Sequence, residues 1–158
     1  MLTLTKTYYD TLSGPLGDVL LTSDGEHLTG LWFAAEPPAD AVRERATFKS
    51  YASQLRAYLA GELRAFDLPM RQSGTPFQER VWTELQAIPY GETISYAELA
   101  RRIGQPTASR AVGSANGRNN ISIVVPCHRV IAADGTLGGY GGELWRKEWL
   151  LKLEGVNF

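Results

Sequence analysis

Apolar and polar positions at the start of the chain alternate in a way that predicts a small antiparallel sheet. Loose alternation over 3–9 and apolar runs at Val19–Thr22 and Leu28–Phe33 are typical of short strands. The segments between them, Ser13–Gly17 and Ser23–Gly25, are rich in glycine, serine and other residues that favour tight turns. We therefore expect strands joined by hairpin turns in the first third of the chain.

The pattern then changes to helical spacing. Apolar residues from Phe48 to Leu59 recur at intervals of three or four, and Gly61 follows where a helix would stop. Residues 65–68 are expected to add one more strand. Together these elements predict a supporting α/β domain over residues 1–73, in which no pattern indicates chemistry.

The second half of the chain is expected to be mainly helical. Thr75 is followed by a proline and then by Gln78, which is the pattern of a helix N-cap with a capping box. An apolar stripe runs from Phe77 to Ile88, where Pro89 ends the helix because a proline disfavours helical backbone in the residue before it. We expect a separate, mainly helical domain over 74–158.

Two short helices follow each other closely in this second domain. Ser95 opens the first with another capping-box pattern, and Gly104 ends it. Thr107 is placed to cap the second, which continues to about Asn116. Helix, short turn and helix is the arrangement of helix-turn-helix DNA-binding proteins. Pairs of short helices are common, however, so the pattern alone leaves open two helices that only pack together.

Positive charge is concentrated around these two helices. Between Ser95 and Arg129 there are five arginines and one acid, so this segment carries +4 and the other residues −5, for a net charge of −1. The second helix consists mostly of alanine, serine and glycine, with Arg110 as its one long side chain. Such a helix could approach a duplex closely, or it could pack against its neighbour through its small residues.

The composition excludes several classes of protein. The chain has 158 residues, of which 44% are hydrophobic and 21% charged, as in an ordinary globular protein. Its single cysteine excludes an intramolecular disulfide and a multi-cysteine zinc site, and we expect no metal. No apolar run is long enough to cross a membrane, and the N-terminus does not resemble a signal peptide. We therefore expect a cytoplasmic protein.

The cysteine lies where an apolar run is broken. Ile121–Val125 predicts a strand, a proline follows it, and Cys127 and His128 come next. A histidine can take the proton of a thiol and make it a nucleophile, although neighbouring side chains in a strand point to opposite faces. A lone cysteine can equally be a small buried hydrophobic residue. The spacing does not decide whether Glu148 or Glu154 would orient the histidine.

The second half of the chain contains a series of different short motifs. They are Thr75–Gln78, Ile88–Thr93, Ser109–Gly113, Asn119, Pro126–Val130, Lys147–Leu151 and Glu154–Gly155. In order and spacing they resemble the O6-alkylguanine-DNA alkyltransferases, also called methylated-DNA–protein-cysteine methyltransferases. The resemblance is dense over 75–155 and only general over 1–70. It implies an α+β fold with a small ribonuclease H-like N-terminal domain and a helical C-terminal domain that carries a winged helix-turn-helix-like motif.

The resemblance implies roles for the residues around the cysteine. Cys127 corresponds to the acceptor of the alkyl group of O6-alkylguanine, with O4-alkylthymine left open as a second substrate. His128 corresponds to a base that acts through water, Glu154 to the acid that orients it, and Asn119 to an asparagine that braces the site. Because the thioether product offers water no carbonyl, the protein is expected to act once, without a cofactor.

The resemblance also implies how double-stranded DNA is bound. The family binds the minor groove and flips the damaged base out of the helix. Arg110 corresponds to the arginine that fills the gap, and Tyr96 to a tyrosine whose hydroxyl donates to the guanine ring. The base pocket would further include Val130, Tyr140 and Gly141. The expected DNA contacts are Ser95, Ala108, Ser109, Arg110, Gly113 and Arg118. We expect a monomer, with cooperativity on DNA left open.

Two positions depart from the family pattern. Glu143 stands where relatives usually have a second glycine after Gly142, and Trp145 is bulkier than expected there. The loop conformation and the size of the alkyl group admitted therefore stay open. Three other functions compete: an alkyltransferase-like protein that binds lesions without chemistry, a cysteine hydrolase, and a helix-turn-helix regulator. Cys127 argues against the first and third, and Arg110 would be unexplained in the second.

Overall fold

The computed structural model describes residues 6–140 and 143–157. The chain divides into two compact units, Met1–Gln72 and Ser73–Phe158, called here the N-terminal and C-terminal units. None of the helices in the described ranges is long and apolar enough to cross a membrane.

The N-terminal unit contains a four-stranded sheet. Its strands are β1 (Tyr8–Gly14), β2 (Gly17–Ser23), β3 (Leu28–Phe33) and β4 (Val42–Arg43), in the order β3-β2-β1-β4. The β1–β2 and β2–β3 pairs are antiparallel, as the hairpin turns predicted, whereas the short β4 runs parallel to β1. The strand expected at 3–9 is confirmed only at Tyr8 and Tyr9, because residues 6 and 7 are not in a strand and β1 continues to Gly14, into the segment expected as a turn. Residues 1–5 lie outside the described ranges.

One helix accompanies this sheet. A 3-10 turn, Ala46–Phe48, leads into α1 (Lys49–Leu59), and the apolar side of both buries Phe48, Tyr51, Leu55 and Tyr58. The strand expected at 65–68 is wrong: β3 makes only an isolated bridge, between Leu28 and Met70. The side chain of Gln54 instead bonds both the N–H and the carbonyl of Asp67, at 2.8 Å each, and so replaces a strand partner there.

The C-terminal unit is mainly helical. Its elements are α2 (Pro76–Leu85), β5 (Ile94–Ser95), α3 (Tyr96–Arg102), α4 (Ser109–Gly117), a 3-10 turn (Cys127–Arg129), β6 (Val130–Ile131) and α5 (Leu144–Leu153). Strands β5 and β6 pair in parallel. The indole N–H of Trp82, on α2, donates to the carbonyl of Ala115 at 2.9 Å and fixes α4 against α2. The mixed α+β fold class is confirmed.

The helix starts agree only partly with their sequence patterns. Thr75 forms the complete capping box with Gln78. Ser95 caps α3 by accepting from the N–H of Glu98, but the Glu98 carboxylate pairs with Arg101 and Arg102. Thr107 does not cap α4, because that helix begins at Ser109 with Ala108 as an N-cap that makes no side-chain bond.

The strand expected at Ile121–Val125 is also wrong. This segment is a tight turn in which the N–H of Val125 donates to the carbonyl of Ile121 at 3.0 Å. Ile123 adopts φ 72°, a backbone conformation that is rare for a β-branched residue. The apolar side chains of this turn are buried, namely those of Ile121, Ile123 and Val125. The apolar run therefore reflects a buried turn and not an extended strand.

Candidate active site

The thiol of Cys127 lies at the start of the short 3-10 turn that follows this buried segment. Pro126 precedes it with ψ 65°, and the N–H of Arg129 donates back to the proline carbonyl at 3.0 Å. Only 4% of the Cys127 surface is exposed. Because the backbone at 127–128 is not extended, the strand rule that would separate the two side chains does not apply.

A single carboxylate, that of Glu154, joins the groups next to the cysteine. It accepts from Nε2 of His128 at 2.8 Å, from Nε and Nη2 of Arg129 at 2.8 and 2.9 Å, and from the N–H of Gly91 at 3.0 Å. Glu154 is the C-cap of α5, and all three side chains are buried. Glu148, the alternative that spacing left open, instead pairs with Lys152 at the surface.

The bond to Glu154 determines which nitrogen of His128 is available as a base. Burial lowers the pKa of His128, with Glu154 opposing that effect, so the imidazole is neutral near pH 7. A neutral imidazole that donates through Nε2 has its acceptor lone pair on Nδ1. His128 can therefore take a proton at Nδ1 while Glu154 stabilises the resulting cation.

Opposing effects act on the thiol. Burial raises the pKa of Cys127, while a hydrogen bond from Asn119, the charge of Lys147 and a hydrogen bond with Tyr140 lower it. The side chain of Asn119 also donates to the carbonyl of Val125 at 2.8 Å and accepts from the N–H of Ile121 at 3.1 Å. Asn119 thus holds the turn before Cys127 and contacts the sulfur from the same position.

Lys147 is a site residue that the sequence analysis did not single out. Its side chain is fully buried, and Nζ donates to the carbonyls of Val130 at 2.6 Å and Gly139 at 3.1 Å. Nζ also lies 5.8 Å from the ring centroid of Tyr96. Burial lowers the pKa of Lys147 to about 8, with the nearby Cys127 opposing it. Its place in the Lys147–Leu151 motif was the only signal in the sequence.

Two more residues were missed for different reasons. The charge pattern places Arg129 in a basic patch, but the residue is buried and donates to Glu154 and to the carbonyl of Ile88, the latter at 2.7 Å. The sequence pattern predicts Asn116 only as the end of a helix, yet its buried side chain donates to the carbonyl of Cys127 at 3.3 Å. Sequence spacing does not predict these contacts, because Ile88 and Glu154 are far from Arg129 along the chain, and Cys127 is far from Asn116.

The C-terminal unit has a cavity of about 520 Å³, within the range of small-molecule pockets. Asn116 and Tyr140 belong to its wall and also contact Cys127, at its carbonyl and its sulfur respectively. The burial of Tyr140 and the nearby Cys127 hold the pKa of the phenol well above its usual value. The lining residues are Tyr96, Ser109, Arg110, Gly113, Asn116, Gly117, Gly139 and Tyr140.

Glycine is required at position 138, next to the lining residue Gly139. Gly138 has φ 71°, and a Cβ there would lie 2.9 Å from the hydroxyl of Tyr96. That hydroxyl reaches the carbonyl of Gly139 at 3.5 Å, a weak bond that a better partner could replace. Tyr96 is therefore held by backbone on one side while its hydroxyl stays free to rearrange.

The structure places the residues expected to act in the reaction in two buried pairs. Asn119 contacts the thiol of Cys127, Glu154 bonds His128, and Val130 contributes its carbonyl to Lys147. Of the expected DNA contacts, Ser109, Arg110 and Gly113 line the cavity, whereas Ser95, Ala108 and Arg118 do not. The expected contact at Gly141 lies outside the described residues.

The two departures from the family pattern contact each other. The indole N–H of Trp145 donates to the Glu143 carboxylate at 2.9 Å, and Arg146 pairs with the same carboxylate at 3.6 Å while its guanidinium lies 4.6 Å from the Trp145 ring centroid. Glu143 adopts φ 75°, a left-handed backbone conformation that glycine adopts more readily than other residues. The three side chains thus form a cluster at the start of α5, in which Glu143 and Trp145 are exposed and Arg146 is buried.

Comparison with known proteins identifies the family. The description "6-O-methylguanine DNA methyltransferase, DNA binding domain" matches residues 76–156, and "6-O-methylguanine DNA methyltransferase, ribonuclease-like domain" matches residues 7–72. The chain belongs to the 6-O-methylguanine DNA methyltransferase family. The expected family is confirmed.

Individual relatives match over nearly their whole length. The methylated-DNA–protein-cysteine methyltransferase of Methanosarcina acetivorans is 50% identical over 153 residues, covering 94% of this chain and 98% of that protein. The protein of the same name from Mycobacterium tuberculosis is 48% identical over 151 residues, covering 93% and 92%. The crystal structure of Mycobacterium tuberculosis OGT in complex with DNA superposes with a TM-score of 0.89 at 49% identity, covering 93% of this chain and 92% of that one.

Proposed function

We propose that this protein repairs alkylated DNA by direct reversal, moving the alkyl group of O6-alkylguanine onto Cys127 in a single irreversible event. The observation that carries the proposal is the buried thiol of Cys127, which Asn119 and Tyr140 contact, close to a cavity of about 520 Å³ whose wall includes Tyr140. Relatives at about half identity carry the name methylated-DNA–protein-cysteine methyltransferase, and one related structure contains DNA.

The chemistry assigned to the cluster begins with ionisation of the thiol. Cys127 loses its proton, through a bridging water, to Nδ1 of His128, and Glu154 stabilises the imidazolium through Nε2. The charge of Lys147 lowers the pKa of the same thiol. The thiolate then attacks the alkyl carbon, a carbon–sulfur bond forms, and the bond from that carbon to O6 breaks. The proton released from the thiol is balanced by the one that guanine gains at N1.

The leaving guanine gains electron density as its bond to the alkyl carbon breaks. Tyr96, whose hydroxyl makes only a long bond to Gly139, is assigned to donate to the ring at that stage. The product is a thioether on a nearly inaccessible sulfur. Water has no carbonyl to attack, so each molecule reacts once and no cofactor is needed.

DNA binding is assigned to the surface around α4. Arg110 is exposed at the edge of the cavity, where it can occupy the space that a flipped base leaves in the duplex. Arg118, at the end of α4, is also exposed, and Ser95, Ala108, Ser109 and Gly113 are the other proposed contacts. We assign the chemistry to residues 74–158 and a supporting role to 1–73, in a monomer of the cytoplasm.

Intact-mass measurement after incubation with a duplex containing O6-methylguanine tests this function. We expect the mass to rise by one methylene, the modified peptide to contain Cys127, and the repaired base to equal the protein in amount. Cys127→Ser, which preserves size and hydrogen bonding, is expected to bind the duplex without any gain in mass. Binding by the unaltered protein without modification, or many repaired bases per molecule, would refute the proposal.

A further inference from the structure

The N-terminal unit has a cavity of its own, of about 500 Å³, that the proposed reaction does not use. Strand β1, the 3-10 turn and helix α1 contribute to its wall. Part of the wall is apolar and includes Leu12 and Ala52. The cationic residues of the wall are Arg45, Lys49 and Arg56. A cavity with this lining has the size and charge to accept a small anionic molecule.

The three cations lack a counter-charge in the part of the chain that the structure describes. All three are exposed, and none forms an ion pair or a side-chain hydrogen bond with residues 6–140 or 143–157. Like charges around one concavity repel each other and concentrate their field inside it. An anion bound in the cavity would relieve that repulsion.

A carboxylate in the same wall does not supply the missing counter-charge. Asp10 is buried, and its Oδ1 already accepts from the N–H of Thr11 at 2.9 Å and from Nε of Arg43 at 3.4 Å. Arg43 is not among the lining residues, so it offsets the charge of Asp10 from outside the cavity. The lining therefore keeps an excess of positive charge.

The spacing of the cations indicates the shape of the anion. Lys49, Ala52 and Arg56 are separated by three and four positions, so they lie on one face of α1. Seven residues of helix rise about 10 Å, and the small side chain of Ala52 leaves the space between the two cations open. Because the two cations repel each other, an extended anion contacts both more readily than a compact one does.

We propose that the N-terminal unit binds a small molecule with a chain of two or three phosphoryl groups, which lies along α1 between Lys49 and Arg56 and is also contacted by Arg45. Guanidinium and ammonium groups are the usual partners of phosphate oxygens. The apolar wall at Leu12 is available to the organic part of the molecule. The phosphates of a duplex lie on a convex surface, which fits an open face better than a cavity. This proposal does not depend on the proposed function.

Isothermal titration calorimetry of the whole protein, without DNA, tests the proposal. The ligand is sodium tripolyphosphate, and orthophosphate is the compact comparison. We expect tripolyphosphate to bind at least about tenfold more tightly than orthophosphate, because only the longer ion reaches both ends of the site. No measurable binding of tripolyphosphate, or equal affinity for the two ions, overturns the proposal.

Substitutions of the cations then locate the binding. Arg45→Gln, Lys49→Gln and Arg56→Gln are each expected to weaken tripolyphosphate binding roughly three- to tenfold. Arg64→Gln is the matched control, because Arg64 is an exposed arginine of the same unit that does not line the cavity. Its affinity should stay within about twofold of the unaltered protein. An equal loss in Arg64→Gln would mean that the ion responds only to net charge, which refutes the proposal.

Two measurements on the unaltered protein need no variant to fold. Amide NMR shifts on addition of tripolyphosphate are expected at 10–12 and 45–56, and shifts confined to α4, the proposed DNA surface, refute the proposal. The calorimetric titration is also repeated with saturating undamaged duplex, and the affinity for tripolyphosphate is expected to persist. Displacement of the ion by duplex would assign these cations to the DNA backbone and overturn the proposal of a small-molecule site.

Discussion

The two units bury different kinds of side chain. In the described part of the N-terminal unit, the only charged residue among the buried positions is Asp10, and the core is otherwise apolar with a few hydroxyls. In the C-terminal unit, Arg129, Lys147 and Glu154 are buried together with His128. Buried charges require exact pairing to offset their desolvation and often add no stability. We propose on this ground that an apolar core stabilises the first unit and that the second unit retains costly buried groups for chemistry.

The largest expected effect comes from breaking the buried ion pair. Glu154→Gln keeps the shape of the side chain but leaves Arg129 without a counter-charge and weakens the support of His128. We expect the free energy of unfolding to fall by about 3–5 kcal/mol, and transfer to slow strongly. Denaturant titration and single-turnover kinetics measure the two effects.

A matched control for this variant lies on the same helix. Glu148→Gln breaks only the exposed pair with Lys152 and is expected to cost about 0–1 kcal/mol without changing the transfer rate. If the two variants behaved alike, the buried cluster would be no different from the surface, and the comparison between the units would fail.

The second prediction concerns the apolar core of the N-terminal unit. Leu31, on β3, is 1% exposed, and Leu31→Ala is expected to lower the free energy of unfolding by about 2–5 kcal/mol through the cavity it leaves. The transfer rate of the folded protein should not change. Val42→Ala, on the exposed edge strand, is the control and should stay within about 0.5 kcal/mol. A slower reaction in folded Leu31→Ala would show that the first unit contributes to chemistry.

The third effect is a pH dependence specific to Lys147. Burial lowers its pKa from 10.5 to about 8, so between these pH values the unfolded chain binds the proton that the folded protein has lost. The titration of Lys147 therefore makes the free energy of unfolding increase with pH, by at most about 1.4 kcal/mol per pH unit. Cys127 and Tyr140, whose pKa values are raised, act in the opposite sense.

The contribution of Lys147 is read from a difference between proteins. The free energy of unfolding of the unaltered protein minus that of Lys147→Met is expected to increase from pH 8 to 10. Cys127 and Tyr140 are present in both proteins, so the difference isolates the contribution of Lys147. The same difference for Lys152→Met, which removes an exposed lysine, should stay flat. A flat difference for Lys147→Met as well would mean that the buried amine keeps an ordinary pKa.

The smallest expected effect tests the surface of the C-terminal unit. Thr75→Ala removes the N-cap of α2 and is expected to cost about 1 kcal/mol without altering transfer. Thr83→Ala, at an exposed position inside the same helix, should cost nothing or stabilise slightly. This result would mean that polar contacts at the surface of this unit contribute only to stability. Polar contacts that affect the transfer reaction would then be confined to the surroundings of Cys127. A change in rate with Thr75→Ala would contradict that division.

Elements with strong local patterns were predictable from the sequence. The β1–β2–β3 hairpins and helix α2 follow from turn residues, apolar spacing and a capping box that act over a few positions. The turn at Ile121–Val125 was not predictable, because a short apolar run reports burial and not backbone conformation. The parallel strand β4 depends on a partner more than 30 residues away, Tyr8, and has no local signal of its own.

The residues of the candidate site also differ in how far the sequence predicts them. Cys127 and His128 stand out in the sequence as a thiol and an imidazole side by side, and Glu154 was one of two acids that spacing allowed. The buried roles of Arg129, Lys147 and Asn116 come from contacts between elements that are distant along the chain. A positive charge in a sequence predicts exposure by default, so two of these three residues were bound to be misplaced.

Because the sulfur of Cys127 is enclosed, its chemical labelling can be used to measure local opening of the folded protein. Cys127 is the only cysteine in the sequence and is almost inaccessible in the folded state. A thiol-specific dye can therefore label only those molecules in which the surrounding residues have transiently separated. When reclosing is faster than labelling, the labelling rate measures the free energy of that local opening. The sulfur that we propose as the alkyl acceptor thus reports how often its surroundings open, before any DNA is present.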